Sequence, residues 1–488
     1  MLHLSKLRSG GRTVAVAGLV GGIVLAGSAL AVARGNGAPS APGGSKHHQD
    51  AISGVPSFSL GELQSSLTGA GGCGTNFAGE PTIHVSRAGN VFLGSELGLG
   101  GGSELWRGLG VIGGAAASGC DLEYRGQPNA ITAGLGASGG DIDLANASSP
   151  NSNGNYNVYV ASLNLGSVNV ATSTDNGASF SQSPVQAGLP LDDREWIAAF
   201  GAGTSLLTYH DVASGDIDVL RSDNSGATYS LISQVIPETD YKAGANEIGN
   251  TVIDHENLPD TTGDFYAYQA FVAPSMSSGT TNNEAWLGVS SDGGKTWTDE
   301  PIPCSVTAAG TRSGLDHNFP NVSVAPNGDI WYAWSDNSSV FTAESTDHGR
   351  TWACSPAVSD NTAQAIYPWL VATSNGIDLV YYGAPTISNQ TWYVYFAQNL
   401  ASSPSGWGAP QQLTAVHQGP VCEGGVSCTS GRQLFDDFGI DTDNAGWAHI
   451  AYSSDADPNT GLFSLGGSGS ATGYAVQTGG TQVGAPNN

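Results

Sequence analysis

Basic residues are scarce in this sequence: 15 Lys and Arg face 42 Asp and Glu in 488 residues, for a formal net charge of −27. A surface that binds nucleic acid needs the opposite sign, because it has to neutralise phosphates. Attraction to an anionic membrane surface is disfavoured for the same reason. We therefore expect neither of these partners, and we attribute most of the acidic excess to solubility.

Extended helical periodicity is also missing, and so are the Cys-x-x-Cys or Cys/His spacings that are typical of zinc sites. What the chain has instead is glycine. Its 70 glycines follow no Gly-x-y period, and they are about twice the usual share. This composition suits many short strands joined by tight turns, so we predict an all-β protein.

The first 33 residues form a separate segment. Lys6, Arg8 and Arg12 precede the uncharged and mostly apolar residues 13–33, which end in Ala-Val-Ala. A basic start, an apolar middle and a small-x-small end are typical of a secretory signal peptide. An uncleaved anchor is the alternative, because the run is about as long as a membrane span. Either route predicts a secreted or cell-surface protein.

Residues 34–54 are rich in Gly, Pro, Ala and Ser and are typical of a flexible tether. No later segment has the composition of a linker, so we predict one domain over residues 55–488.

Six cysteines in an exported chain predict up to three disulfides. Cys422 and Cys428 lie close together and predict a local staple. Pairing neighbours would join Cys73 to Cys120 and Cys304 to Cys354, although other pairings of these four remain open.

An eight-residue pattern, Ser-x-Asp-x-Gly-x-x-aromatic, recurs along the chain. It occupies residues 173–180, 290–297 and 345–352, and a fourth copy at 222–229 has Asn in place of Asp. The Gly supplies a positive φ, and the Asp can accept hydrogen bonds from the N–H groups of its own loop. Each copy therefore predicts a tight hairpin closed by an aromatic side chain.

This pattern resembles the Asp box (BNR repeat) of the sialidase superfamily of β-propellers. Further segments resemble exported bacterial members of that superfamily, many of which have no assigned reaction: residues 139–143, 193–196, 207–211, 319–320, 367–369, and 422–428 followed by 436–438. In the family the Asp box shapes a hairpin at the blade rim, away from the active site. The resemblance therefore implies the fold more than it implies a reaction.

A longer repeat supports a propeller. Seven polar openings lead into apolar strands, and they begin near residues 79, 139, 193, 250, 317, 366 and 436. Their spacing matches four-stranded blades. Seven blades are favoured, and six are the alternative because sialidases themselves have six. We expect residues 57–63 to complete the last blade beside residues 473–478, and residues 479–488 to be frayed.

The first strand of each blade lines the channel of a propeller, so the openings should ring the channel mouth. A sialidase site would need three arginines for the substrate carboxylate, a tyrosine nucleophile with its Glu, and an Asp acid/base. The resemblance offers Arg194, Arg312 and Arg432 as the clamp, and Tyr367, Glu247 and Asp141 as the other groups. Two features depart from the family: its Phe/Tyr-Arg-Ile-Pro segment is absent, and Arg432 follows Tyr367 rather than preceding it.

Other mouth residues predict ligand binding or hydrolysis by a pair of carboxylates. The ligand-binding candidates are Glu80, Asp193, Trp196, His317, Trp369, Asp436 and Asp437. Asp141 and Asp143 offer the oxygen ligands that Ca²⁺ prefers, so calcium is the candidate metal, although the predicted function needs no cofactor.

We thus expect a monomeric, exported propeller that recognises an extracellular glycan, polymer or protein at its channel mouth. Whether it is an enzyme stays open. The first alternative is an exo-acting glycoside hydrolase, of sialidase type or with paired carboxylates. The second is a cell-surface scaffold for protein interactions.

Overall fold

The computed structural model describes most of the chain after residue 53. The described ranges are 54–67, 72–74, 76–98, 101–111, 113–114, 120–130, 140–164, 167–185, 192–260, 264–277, 281–306, 314–315, 319–359, 362–388, 390–401, 406–456 and 469–487. The predicted signal peptide, nearly all of the predicted tether, and the site candidates Arg312 and His317 lie outside these residues.

Twenty-eight strands form within the described residues. In chain order they are β1 (Ser57–Gly61), β2 (Gly79–Val85), β3 (Val91–Glu96), β4 (Ser103–Gly108), β5 (Glu123–Gly126), β6 (Ile142–Asn146), β7 (Val158–Asn164), β8 (Ser167–Ser173), β9 (Ser181–Val185), β10 (Asp192–Phe200), β11 (Thr204–Asp211), β12 (Ile217–Ser222), β13 (Ser230–Ile236), β14 (Glu247–Ile253), β15 (Ala267–Ala273), β16 (Glu284–Ser290), β17 (Thr298–Ile302), β18 (Asn321–Val324), β19 (Ile330–Ser335), β20 (Val340–Ser345), β21 (Ala353–Cys354), β22 (Gln364–Ala372), β23 (Gly376–Ala384), β24 (Thr391–Leu400), β25 (Gln411–Gln418), β26 (Gly439–Thr442), β27 (Ala448–Ser454) and β28 (Ala471–Gly479). The helical elements of these residues are short 3₁₀ turns at Tyr241–Gly244, Pro303–Ser305 and Gly425–Ser427.

The strands form seven four-stranded antiparallel sheets, which are the blades of a β-propeller. Blades I to VI are β2–β5, β6–β9, β10–β13, β14–β17, β18–β21 and β22–β25, and blade VII combines β26–β28 with β1. The first strands of successive blades contact one another in cyclic order, from β2 through β26 and back to β2. The all-β, seven-bladed prediction is confirmed.

The ring is closed by the pairing that the sequence predicted. Strand β1 adds to the outer edge of β28, with Leu60 opposite Ala475. A closed ring leaves no gap between the first and last blades.

Each inner strand runs from the mouth, where these strands begin, to the opposite end of the channel, the far end. The core lies between the blades, because both faces of most inner and middle strands are covered. Strand β23, for example, is buried along its whole length. Large rings such as Trp106, Tyr332 and Trp392 fill these layers.

The four Ser-x-Asp turns follow the third strands of blades II to V, as predicted. In the blade IV copy, Asp292 Oδ1 accepts hydrogen bonds from the N–H groups of Lys295 and Thr296 at 3.0 and 2.9 Å. The Gly of each turn faces the preceding blade. A Cβ on Gly226 would lie 2.2 Å from Thr172 Oγ1, and one on Gly177 would lie 2.6 Å from Phe92. In blades II to V, the glycine of the turn therefore packs closely against the blade before it.

The C-terminal segment crosses the far end of the channel. Val483 is fully buried, and the side-chain amide of Asn487 donates to Asp254 Oδ1 and to the carbonyl of Ala325 at 2.9 and 3.2 Å. Asn487 thereby joins the ends of the inner strands of blades IV and V. The expectation that residues 479–488 are frayed is wrong for residues 479–487, because polar groups at the strand ends bind the segment.

Three disulfides join Cys73 to Cys120, Cys304 to Cys354 and Cys422 to Cys428, so the neighbour pairing is confirmed. The described residues contain no helix that is long and apolar enough to cross a membrane.

Candidate functional site

Arg194 is the centre of the channel mouth. Its buried guanidinium group forms an ion pair with Glu80, and its Nη2 donates to Asp436 Oδ2 at 2.6 Å. Its Nε lies 3.3 Å from Asp141 Oδ2, and Asp437 Oδ2 is 4.0 Å from Nη1. These four carboxylates come from the openings of blades I, II and VII. One arginine of blade III therefore holds three other blades together at the mouth.

Aromatic side chains lie beside this network. The Arg194 guanidinium carbon is 3.9 Å from the centroid of the Phe319 ring, an arrangement that favours a cation. Trp196 packs against Phe319 and Trp369 with ring centroids 6.3 and 5.4 Å apart. The buried indole N–H of Trp196 has no hydrogen-bond partner.

The mouth is built on strained backbone. Glu80, Arg194 and Tyr367 have φ values of 53°, 52° and 54°, which are uncommon for residues other than glycine. Each lies in a β-bulge, where the register between the first and second strands of its blade shifts. A bulge re-aims a side chain, and strain of this kind costs about 1–3 kcal/mol per residue and clusters at functional sites.

Arg432 is the second cation of the mouth. Its two Nη atoms bind the two oxygens of Asp436, with a distance of 2.5 Å between Nη2 and Oδ2. Asp436 therefore bridges Arg432 and Arg194. The sequence offered Arg194 and Arg432 as groups that could bind a substrate carboxylate. Carboxylates of the protein already pair with both of them.

Carboxyl groups outnumber the arginines at the mouth, and burial raises the pKa of several of them. Burial, reinforced by the charge of Asp141, raises the pKa of Glu96 to about 8. Burial also raises the pKa of Asp437 to about 7, despite the nearby Arg194. Burial and the charge of Asp436 raise the pKa of Glu423 to about 8. The mouth thus has proton donors that titrate near neutral pH.

Two of these acids, Glu96 and Glu423, were not among the sequence candidates. Glu96 ends β3, and in an antiparallel blade the second strand ends where the first begins, at the mouth. That rule could have identified it. Glu423 lies in the loop of the Cys422–Cys428 disulfide, which precedes Asp436.

The closest group of acids combines Glu80, Glu96 and Asp141, which each offer an oxygen atom within 4.8 Å of the others. Arg194 supplies positive charge to Glu80 and Asp141, so Glu96 is the member that it does not bind. Glu96, whose pKa is raised, therefore lies beside a carboxyl group that Arg194 binds.

Other candidates are placed differently. Asp143 lies deeper in the channel, where its oxygens accept from Thr82 Oγ1 and the N–H of Ile197 at 3.2 and 2.8 Å. Asp143, which the sequence offered as a calcium ligand together with Asp141, thus already accepts hydrogen bonds from protein groups. Glu247 begins β14, opposite Val272, and makes no ion pair with Arg194. Asp193 is exposed at the rim.

Tyr367 is buried, and its hydroxyl has no hydrogen-bond partner. Burial and the charge of Asp436 raise its pKa well above the ordinary value. A tyrosine nucleophile needs the opposite shift, so this environment does not activate the phenol.

Below the mouth the channel contains a cavity of about 110 Å³. His84 projects into it between Asp143 and Asp441, with a ring nitrogen 3.9 Å from an oxygen of each. Pro486 and Asn487 line the cavity at the far end. The cavity is therefore lined by both polar and apolar side chains, and the C-terminal segment forms part of its wall.

No protein-family model and no curated protein matches the sequence. Among solved structures, the GH74 enzyme of Niastella koreensis aligns with a TM-score of 0.45 and 15% identity, over 80% of this chain and 52% of its own. The α-L-arabinofuranosidase of Fusarium graminearum aligns with a TM-score of 0.41 and 14% identity, over 69% of this chain and 92% of its own. The leech intramolecular trans-sialidase aligns with a TM-score of 0.36 and 10% identity, over 78% of this chain and 65% of its own.

The chain thus spans about half the length of the GH74 enzyme. All three likenesses are too distant to indicate an activity. The function has to be inferred from the mouth.

Proposed function

We propose that this protein recognises an extracellular glycan at the channel mouth. The observation that carries the proposal is the convergence of three strained bulges, at Glu80, Arg194 and Tyr367, on one network of carboxyl groups. Strain is retained where a site needs side chains in fixed positions. Carboxyl groups accept hydrogen bonds from sugar hydroxyls, and the side chains of Asp141 and Asp437 keep 16% and 12% of their surface exposed.

The charge at the mouth favours an uncharged glycan over an acidic one. Arg194 and Arg432 already share Asp436, and Arg194 also pairs with Glu80 and Asp141, so each cation already has a carboxylate partner. Sialic acids and uronic acids should therefore bind more weakly than neutral sugars of similar size.

A glycan-binding screen tests this proposal. We expect the chain from residue 34 onward to bind neutral oligosaccharides, and Asp141→Asn to weaken binding at least about tenfold, as loss of a charged hydrogen bond would. Asp260→Asn, an exposed aspartate away from the mouth, is the matched control. Binding that is limited to acidic glycans, or unaffected by Asp141→Asn, would contradict the proposal.

Hydrolysis is the second candidate function, favoured by the spacing of Glu96 and Asp141. Their oxygens lie within 4.8 Å, and carboxyl groups about 5 Å apart are typical of retaining glycosidases. Glu96, whose pKa is raised to about 8, would protonate the leaving oxygen, and Asp141, held by Arg194 Nε, would attack the anomeric carbon.

Chromogenic glycosides test the second candidate. Glu96→Gln should slow substrates with poor leaving groups more than those with good ones, since only the former need an acid. Asp141→Ala should lose activity and regain some of it with azide, which would form the glycosyl azide of inverted configuration. Absence of release from every substrate would leave recognition alone as the function.

We also infer that the protein works outside the cytoplasm, because its three disulfides fit an oxidising compartment. N-terminal sequencing of secreted protein should find a start at residue 34. A start at residue 1 on membranes would identify an uncleaved anchor instead.

A further inference from the structure

Three carboxyl groups of the mouth lie close together. They are Glu80 on β2, Glu96 at the end of β3 and Asp141 just before β6, and each offers an oxygen atom within 4.8 Å of the others. Blade I supplies two of them, because Gly79 and Glu96 lie opposite each other where β2 begins and β3 ends. Blade II supplies the third. Three oxygens at this spacing can contact the same ligand atom.

Two of these acids lack the partners that buried carboxyl groups ordinarily have. Glu96 is 4% exposed, and no basic side chain of the described residues forms an ion pair with it. Glu80 is 2% exposed, and Arg194 lies against its Oε1, but its Oε2 is buried without a hydrogen-bond partner. Buried polar groups are ordinarily paired. The unused acceptor positions of Glu80 and Glu96 therefore point to a donor that the protein does not supply.

The charges around this cluster are also unbalanced. Arg194 lies against four carboxyl groups, and Arg432 binds Asp436, which is one of the same four. Glu96 is a fifth carboxyl group beside them. Burial raises the pKa of Glu96 to about 8, so a proton compensates for part of the excess in the free protein. A ligand that brings a positive charge can take the place of this proton.

The spacing of the three oxygens is compatible with a primary ammonium group. Hydrogen bonds from an ammonium to carboxylates are about 2.8 Å long, so three acceptors around its tetrahedral N–H groups lie about 4.6 Å from one another. The three oxygens all lie within 4.8 Å. A calcium ion is less suited, because it takes about six to eight oxygen ligands and Arg194 already contacts oxygens of Glu80 and Asp141.

We propose that the glycan recognised at the mouth carries a free primary amine, and that its ammonium group binds between Glu80, Glu96 and Asp141. This inference rests on glycan recognition, the first of the two functions proposed above, and it specifies the class of glycan. Solvent reaches the cluster at Asp141, since 16% of that side chain is exposed. The amine therefore enters beside Asp141.

Further acids at the mouth favour an amino sugar over the lysine side chain of a protein. Asp437 keeps 12% of its side chain exposed, and Asp193 is exposed at the rim. An amino sugar carries hydroxyl groups near its amine, and hydroxyl groups donate hydrogen bonds to carboxylates. A lysine has only methylene groups next to its ammonium, so it would leave these acids without a donor.

The test compares oligosaccharides that differ only at nitrogen. Calorimetry with the chain from residue 34 onward, at pH 6 where a sugar amine is protonated, measures oligomers of glucosamine and galactosamine and their N-acetylated counterparts of equal length. The preferred amine should bind at least about tenfold more tightly than its N-acetylated form, because hydrogen bonds between charged groups are stronger than neutral ones. Its binding should also release a proton to the buffer, since Glu96 has to ionise to pair with it, and heats measured in two buffers report that release.

Glu96→Gln keeps the shape of the side chain and removes its charge. This variant should reduce the ratio of the two affinities to about one and should abolish the proton release, because an amide does not ionise. Asp260→Asn, an exposed change away from the mouth, should keep the preference of the wild type. A thermal midpoint near that of the wild type shows that each variant is folded.

The outcomes separate this inference from the function on which it rests. Equal binding of the amine and N-acetylated oligomers, or an amine preference that survives in Glu96→Gln, would overturn the ammonium site and leave glycan recognition intact. Binding of no glycan, neutral or amino, would contradict both. Tighter binding of a lysine-containing peptide than of every amino sugar would also overturn the inference, since the ligand would then be a protein.

Discussion

A single residue, Arg194, balances the charge of the mouth. It is buried among Glu80, Asp141, Asp436 and Asp437, and it stacks on Phe319. A lysine could not replace it, because only a guanidinium group offers several donors in a fixed plane.

Replacing Arg194 by Ala should therefore lower the free energy of unfolding by about 3–5 kcal/mol, the usual cost of leaving buried charges unpaired. Arg87→Ala is the matched control, since Arg87 pairs with Glu256 at the surface and exposed pairs contribute at most about 1 kcal/mol. Urea denaturation of both variants measures the difference. If the two variants lose equal free energy of unfolding, the buried Arg194 network contributes no more than an exposed ion pair.

Asp378 predicts a dependence of stability on pH. It is fully buried in β23 and accepts one hydrogen bond, from Gln398 Nε2 at 2.9 Å, and burial raises its pKa to about 8. The unfolded carboxyl ionises near pH 4. Between about pH 4 and pH 8 the folded state therefore has to hold a proton that the unfolded state has released, and stability falls as pH rises.

Asp378→Asn removes this penalty. The variant should be more stable than the wild type at pH 8 and should lose that advantage towards pH 4. Denaturation at pH 4, 6 and 8 measures the gap, with Asp260→Asn as the exposed control. A stability difference between the variant and the wild type that does not change with pH would contradict the raised pKa of Asp378.

For individual residues, the sequence could predict which residue types surround the mouth but not their ionisation. Arg194, Glu80, Asp436 and Asp437 were identifiable because each opens a blade. Glu96 was missed because it ends a second strand, and its raised pKa depends on burial that only the closed ring creates. The roles proposed for the mouth residues remain predictions.

Among the elements, the Ser-x-Asp turn is the repeated unit that fastens the blades. In the Asn224 copy the side-chain oxygen still accepts from the N–H of Thr228 at 3.0 Å, and its nitrogen donates to Thr228 Oγ1 at 2.8 Å. The amide thus keeps the same two partner atoms as the carboxylate, although the hydrogen bond with the threonine hydroxyl runs in the opposite direction.

Asp292→Asn should accordingly change stability by less than about 1 kcal/mol, whereas Asp292→Ala should cost about 1–3 kcal/mol because it leaves loop N–H groups without their acceptor. The thermal midpoints of the two variants give the comparison. If Asn and Ala are equally destabilising, the charge rather than the hydrogen bonds holds the turn.

Strand order was predictable from the sequence because each blade repeats the same opening and the same turn chemistry. The bulges were not, since residues such as Tyr367 adopt a positive φ only when neighbouring blades hold them there. The C-terminal segment was also mispredicted. Its Gly-rich composition suggested fraying, but its hydrogen-bond partners are brought together only by the closed ring.

For the whole molecule, the ring is closed twice, by β1 at the blade edge and by the C-terminal segment at the far end. Deleting residues 480–488 should lower the free energy of unfolding by at least about 2 kcal/mol, because it exposes the site of Val483 and removes the Asn487 hydrogen bonds. Asn487→Ala should show a smaller part of the same loss. An unchanged denaturation midpoint in the truncated chain would contradict this role.

The cavity of the channel also restricts how a long ligand can be held. Its volume of about 110 Å³ is enough for a few waters, each of which takes up about 30 Å³, but not for a chain of sugar rings. A polysaccharide therefore cannot thread along the axis. A polymer that binds at the mouth would contact one face of the ring, and it could move only across that face.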